Sequence, residues 1–169
     1  MDDAGVNAVR QDLIKKIHHA FEGVARGKGI TLHQARIIDD AIWSGAGPEE
    51  EAFARGKDSD RKWQEIPRQV IEELGEECAF LDAEGFRYYL PALMIWTLSY
   101  GKGSDNVAGD YLIYDLARNE RIAGLDCLSG EQAGSVAEFL KYVADHPDER
   151  WADAVAARLA LENYWDKFL

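Results

Sequence analysis

The side chains that could do chemistry in this sequence are few and scattered. There are four histidines, His18, His19, His33 and His146, and two cysteines, Cys78 and Cys127. His18 and Glu22 stand one helical turn apart, so on a helix they share a face. His33 and Asp40 share a face two turns apart, with Asp39 beside them. Two helices carrying these pairs side by side could converge His18, Glu22, His33 and Asp40 on a metal ion, as in carboxylate–histidine bundles. The opposing argument is stronger. His19, His33 and Asp40 point away from the apolar stripes of their helices and His18 lies on the border, which is the pattern of a solvated face. No HExxH and no ExxH pair is present, and neither a metal nor any other cofactor is expected.

Other reactive patterns fare no better. Gly27-Lys28-Gly29 and Gly101-Lys102-Gly103-Ser104 superficially suggest a phosphate loop. Both lack the GxxxxGK[ST] spacing after a strand that places backbone N–H groups around a phosphate. There is no G-x-S-x-G elbow for a nucleophile. His146 precedes Pro147 and reads as a helix end. The cysteines form no CxxC or Cys/His cluster and are expected to be two buried, reduced thiols.

The elements that would position these residues are mostly helical. Val6, Val9, Leu13, Ile17, Phe21 and Val24 recur at helical spacing, predicting a helix over 6–24. Thr31 and Gln34 form a capping box that opens a second helix, with Ala35, Ile38, Ala41 and Ile42 as its buried stripe. Residues 44–48 are a Gly/Pro break and 55–61 a polar loop. A third helix starts near Pro67 and stops at Gly75. Residues 79–82 suggest one short extended piece. From Phe86 to Leu98 almost no polar face remains, which marks a central buried helix near residues 90–100, with Pro91 in its first turn. Residues 100–110 read as a loop, and 111–116 is apolar but ambiguous. Ser129 and Gln132 open another helix with Ala133, Val136, Ala137, Leu140 and Val143 on one stripe. A last helix is expected from Glu149 to the end, with Trp151, Ala154, Val155, Leu161, Trp165 and Phe168 aligned. The expected architecture is a mainly α, irregular bundle of about six helices, with residues 1–169 as a single domain.

Two local settings suggest interaction. Asp58 and Asp60 precede Arg61 and Trp63; they read either as a helix cap with Trp63 docked on the core, or as a ridge offering Arg61 and Trp63 to a partner. Arg87, among Phe86, Tyr88 and Tyr89, must find a carboxylate or an aromatic face, and a structural ion pair is expected before anion binding. At these residues the chain resembles a widespread bacterial family of uncharacterised proteins. The strings WQEIP (63–67), FLD (80–82) and GFRYYLPALM (85–94) carry the likeness. So do the TLHQARIIDD (31–40) and LSGEQAGSVAEFLKY (128–142) segments. The resemblance implies no activity and transfers no catalytic residue.

Composition narrows the function classes. The formal net charge is −12, from 31 acidic and 19 basic residues, which disfavours nucleic acid and anionic membranes as partners. No apolar run nears the ~20 residues of a membrane span. The N-terminus is acidic and lacks the apolar core of a secretory signal. A cytoplasmic location is therefore expected. The expectation for function is a non-enzymatic acidic domain that binds another protein, with a basic partner favoured by the charge, in the manner of a toxin-neutralising immunity protein. Glu49, Glu50 and Glu51, the acidic stretch 72–77, the loop 100–110, Arg61, Trp63 and Arg87 are the candidate contact residues. The alternative is a metal-dependent or small-molecule enzyme using the histidine and carboxylate cluster.

Overall fold

The computed structural model describes residues 3–42 and 44–169. Among them the chain is mainly helical and holds no strand. These residues form nine α-helices, α1 (Asp3–Ala20), α2 (Leu32–Asp40), α3 (Pro48–Arg55), α4 (Arg68–Leu74), α5 (Ala83–Tyr100), α6 (Ala108–Ala117), α7 (Asn119–Ala123), α8 (Gly130–Asp145) and α9 (Ala154–Asn163). Four short 3-10 segments join them, at Trp63–Glu65, Gly75–Phe80, Pro147–Glu149 and Trp165–Phe168. The count exceeds the expected six because short helices form where the sequence shows only brief apolar pieces. None of the described helices is long and apolar enough to cross a membrane.

The two capping boxes form as read. The Thr31 hydroxyl accepts from the Gln34 N–H while the Gln34 side chain accepts from the Thr31 N–H, and Ser129 and Gln132 repeat the pattern at α8. Each box satisfies two donors that a helix start leaves orphaned. Asp82 caps α5 by accepting from the Gly85 N–H, and Asp153 caps α9 by accepting from Val155 and Ala156.

α5 is the hub. Phe86, Tyr88, Tyr89, Leu90, Met94 and Leu98 are fully buried on it. Pro91 sits in its middle rather than its first turn. A proline there has no N–H to give the carbonyl four residues back, so burial on every side, not internal hydrogen bonding alone, holds this helix. The stripe of α8 is buried as expected, from Ala133 to Val143.

The N-terminus of α5 is reached by the loop that follows α1. A Cβ on Gly29 would lie 2.4 Å from the Gly85 N, and one on Gly85 would lie 2.3 Å from the Ile30 O. The two backbones therefore touch with no side chain between them, and the Ile30 N–H donates to Asp82 at 2.8 Å.

Several expectations are corrected. α1 ends at Ala20, and Val9 is exposed on it. α2 ends at Asp40, so Ile42 falls past it and is 61 % exposed. The expected extended piece is occupied at 79–80 by a 3-10 turn. The final helix is divided: Arg150 adopts a left-handed φ of 53°, Asp153 restarts the helix, and Val155 faces outward. Cys78 is buried but Cys127 is exposed; both are free.

Candidate functional site

Arg26, after α1, is the centre of a buried polar network. Its guanidinium donates to Asp60 Oδ2 at 2.8 Å, to the Tyr89 hydroxyl at 3.2 Å and to the Asp58 carbonyl at 2.9 Å. The Tyr88 hydroxyl donates to the same Asp60 oxygen at 2.6 Å. Asp58 reaches the other way: its Oδ1 lies 2.9 Å from Nδ1 of His33 on α2. The Asp60 and Asp58 side chains are only 5 % and 2 % exposed. Two aspartates expected as caps thus turn inward and tie the 56–62 loop to α2 and α5. Burial, together with the hydrogen bond to Asp60, pushes the Tyr88 phenol well up, and burial does the same to Tyr89. Both phenols stay neutral, so neither supplies a phenolate base or nucleophile at neutral pH. Among the described residues no serine, threonine or cysteine hydrogen bonds to His33, which leaves the His33–Asp58 pair without a nucleophile to activate.

The proposed metal ligands are not brought together. His33 is held by Asp58. His18 and Glu22 are exposed on or just after α1, where the His18 ring lies 5.0 Å from that of Trp63. Asp40 is exposed at the end of α2. Among the described residues no three His, Cys, Asp or Glu side chains cluster as a metal ion would require.

Trp63 is not part of a surface ridge. It is 3 % exposed, and its indole N–H donates to the Phe21 carbonyl at 2.9 Å. Arg61 remains exposed beside it. Arg87 forms no ion pair among the described residues; its Nε donates to Gln132 Oε1 at 3.2 Å. Gln132, itself 3 % exposed, also donates to the Ala20 carbonyl at 3.0 Å, so one amide joins α8 to α5 and to the end of α1. The acidic stretch 72–77 is largely neutralised: Glu77 is buried against Arg36, Glu76 pairs with Arg36 at 3.3 Å, and Glu72 pairs with Arg68 at 2.6 Å. Burial raises the Glu77 carboxyl above its ordinary value.

One acidic surface stays open, and α3 builds it. Gly47 stands at the cap, where its N–H donates to Glu50. Pro48 follows as the first helical residue, where its missing N–H costs nothing. Glu49, Glu50 and Glu51 then fill the first turn, where the helix dipole favours carboxylates. Ala54 is the buried residue of this helix, and α2 lies beneath it. Arg55 is turned inward: it donates to the Gly29 and Gly27 carbonyls, each at 2.8 Å, and to Gln34 at 3.1 Å. The outer face therefore shows Glu49, Glu50 and Phe53, which is 72 % exposed, with the Lys57 ammonium 5.2 Å from the Phe53 ring. Sequence reading finds the acids and misses Phe53. Its signal is an aromatic standing between alanines directly after three acids.

A family model described as Family of unknown function (DUF6714) matches residues 9–169. No curated protein and no solved structure matches the chain.

Proposed function

Since the chain belongs to this family of unknown function, which lends it no activity, we propose that it is a non-enzymatic acidic domain that binds a basic protein through α3. One observation carries the reading: Phe53 is 72 % exposed on a helix that shows Glu49 and Glu50 beside it and consumes its arginine internally, with Lys57, beyond the helix end, as the cation near its ring. An exposed aromatic is a suitable anchor for a partner, because desolvating it yields much area at little entropy cost. The surrounding acids, and the net charge of −12, speed encounter with a basic surface and discourage acidic ones. A toxin-neutralising immunity protein working in the cytoplasm is the partner-binding role that best combines this size, this acidity and described residues that assemble no metal cluster. The metal-enzyme reading has no support in the separated positions of His18, Glu22, His33 and Asp40.

The test compares the wild type with Phe53→Ala and with Glu49→Lys/Glu50→Lys. Each is recovered gently from the host's lysate and weighed by native mass spectrometry at low and high salt. The expected result is a stoichiometric basic protein on the wild type, lost at high salt and weakened at least roughly 30-fold by removing the aromatic anchor. Retention of the same partner by both variants would refute the α3 surface. A lone protein carrying a metal ion would refute the binding role.

A further inference from the structure

A separate cavity of about 210 Å³ opens between α1, α8 and the segments 101–107 and 147–153. Its lining includes Val6, Arg10, Lys102, Tyr142, Glu149 and Trp151. Three polar atoms of this lining are buried without a hydrogen-bond partner among the described residues: Arg10 Nε, the Tyr142 hydroxyl and Trp151 Nε1. Tyr142 and Trp151 are each only 4 % exposed. A buried donor left unpaired is costly, so three at one cavity call for an explanation. All three can donate, and two of them can only donate.

The charges agree. The Arg10 guanidinium lies 5.1 Å and the Lys102 ammonium 5.7 Å from the centre of the Trp151 ring, which holds both cations at the cavity. The terminal guanidinium nitrogens of Arg10 each spend one N–H, on the Leu98 carbonyl at 3.1 Å and on Asn7 at 2.6 Å, while Nε has no partner among the described residues. Glu149 pairs with Lys102 at 3.5 Å and offsets one of the two positive charges. The balance is one positive charge in a chain that is otherwise strongly acidic. The rings of Tyr142 and Trp151, with Val6, supply apolar wall. At about 30 Å³ per water molecule, the volume admits roughly seven water-sized groups.

We propose that this cavity binds a small organic carboxylate, its oxygens accepting from Arg10, Tyr142 and Trp151 and its apolar body resting against the aromatic rings. A single net positive charge and apolar walls favour a monoanion with a carbon body over phosphate. The site is distinct from the α3 surface, so either proposal can fail without the other.

The experiment titrates the intact chain with benzoate, acetate, succinate and inorganic phosphate by calorimetry, with melting temperature read in parallel at constant ionic strength. Benzoate is expected to bind saturably, one per chain, and to raise the melting temperature. Tyr142→Phe removes one donor and keeps the ring, while Trp151→Phe removes one donor and leaves a smaller aromatic ring in place of the indole. Each should weaken benzoate roughly ten- to a hundredfold, the worth of one hydrogen bond to a charged group. Lys102→Gln, at a half-exposed side chain, should weaken it without disturbing the core, and Glu149→Gln should tighten it. Without ligand, Tyr142→Phe should melt no lower than wild type, since its hydroxyl has no partner to lose among the described residues. Phosphate binding tighter than every carboxylate would overturn the ligand class. Absence of saturable binding by all four anions, or wild-type affinity in all the variants, would overturn the site and leave the donors to ordered water.

Discussion

Asp60 is the acceptor on which the Arg26 network turns, and its removal has a calculable signature. Asp60→Ala would leave the Arg26 guanidinium, 14 % exposed, without its carboxylate. Breaking a buried ion pair by removing one partner costs about 3–5 kcal/mol. Tyr88→Phe removes one hydrogen bond to an ionised group while leaving the fully buried ring, for about 1.5–3 kcal/mol. Because both donors use the same Asp60 oxygen, the Tyr88 hydroxyl has nothing left to lose once Asp60 is gone. The double variant should therefore be no less stable than Asp60→Ala alone, with a coupling close to the whole Tyr88→Phe effect. Urea unfolding followed by circular dichroism in the far ultraviolet measures all three. In a chain of this size each kcal/mol lowers the melting temperature by about 2–4 °C, so Asp60→Ala should fall by roughly 6–20 °C on the same principles. Additive single effects, or an Asp60→Ala cost below about 1 kcal/mol, the size of an exposed pair, would refute the network as the anchor of the 56–62 loop.

Three further outcomes are expected. Burial holds the Asp110 carboxyl above its ordinary value even though it accepts from the Asp153 N–H. The native state then binds more protons than the unfolded chain from about pH 4 up to the raised value, and this group's contribution to stability falls as pH rises through that window. Asp110→Asn, which keeps an acceptor for Asp153, should consequently gain melting temperature over wild type at about pH 7 and lose that advantage at about pH 4; the opposite trend would show the carboxylate to be favoured. Gly29→Ala sets a methyl against the Gly85 backbone and should cost at least about 1–3 kcal/mol in chemical unfolding, since backbone cannot yield as a side chain can; a neutral substitution would deny the close contact. A thiol reagent should modify one cysteine in the native protein, the exposed Cys127, and two in denaturant, because Cys78 is buried and its thiol is pushed far up by desolvation. Two rapid equivalents without denaturant would contradict this.

What can be read from the sequence is local. Thr31 with Gln34 and Ser129 with Gln132 announce helix starts because both partners lie within one turn. The burial of α5 follows from the lack of any polar face between Phe86 and Leu98. Apolar periodicity does not say where a helix stops, so Ile42 continues a stripe whose helix ends two residues before it. It also does not distinguish a buried apolar residue from an exposed one on a thinly covered helix, and Val9, Phe53 and Val155 all lie on the exposed side of that distinction. The polar network is illegible for another reason. Tyr88 finds Asp60 across 28 residues and Arg26 finds Tyr89 across 63, and no spacing rule encodes such pairs. Aspartates before a tryptophan read as caps until the loop's path shows them turning inward.

The Gln132 amide has a kinetic consequence. Its two distant partners, Arg87 and the Ala20 carbonyl, are 45 and 112 residues away along the chain. Each contact requires its own long loop to close, and loop closure of that length is entropically unfavourable before other contacts repay it. The Ser129 N–H, three residues away, is the partner this side chain can reach early. This order of closure predicts that the long-range bonds form after the rate-limiting barrier, which a φ-value near zero at Gln132 would check. Interactions absent from that barrier act on the escape from the native state and not on its formation. Gln132 is thus expected to act as a latch, so that Gln132→Ala speeds unfolding more than it slows folding in stopped-flow measurements.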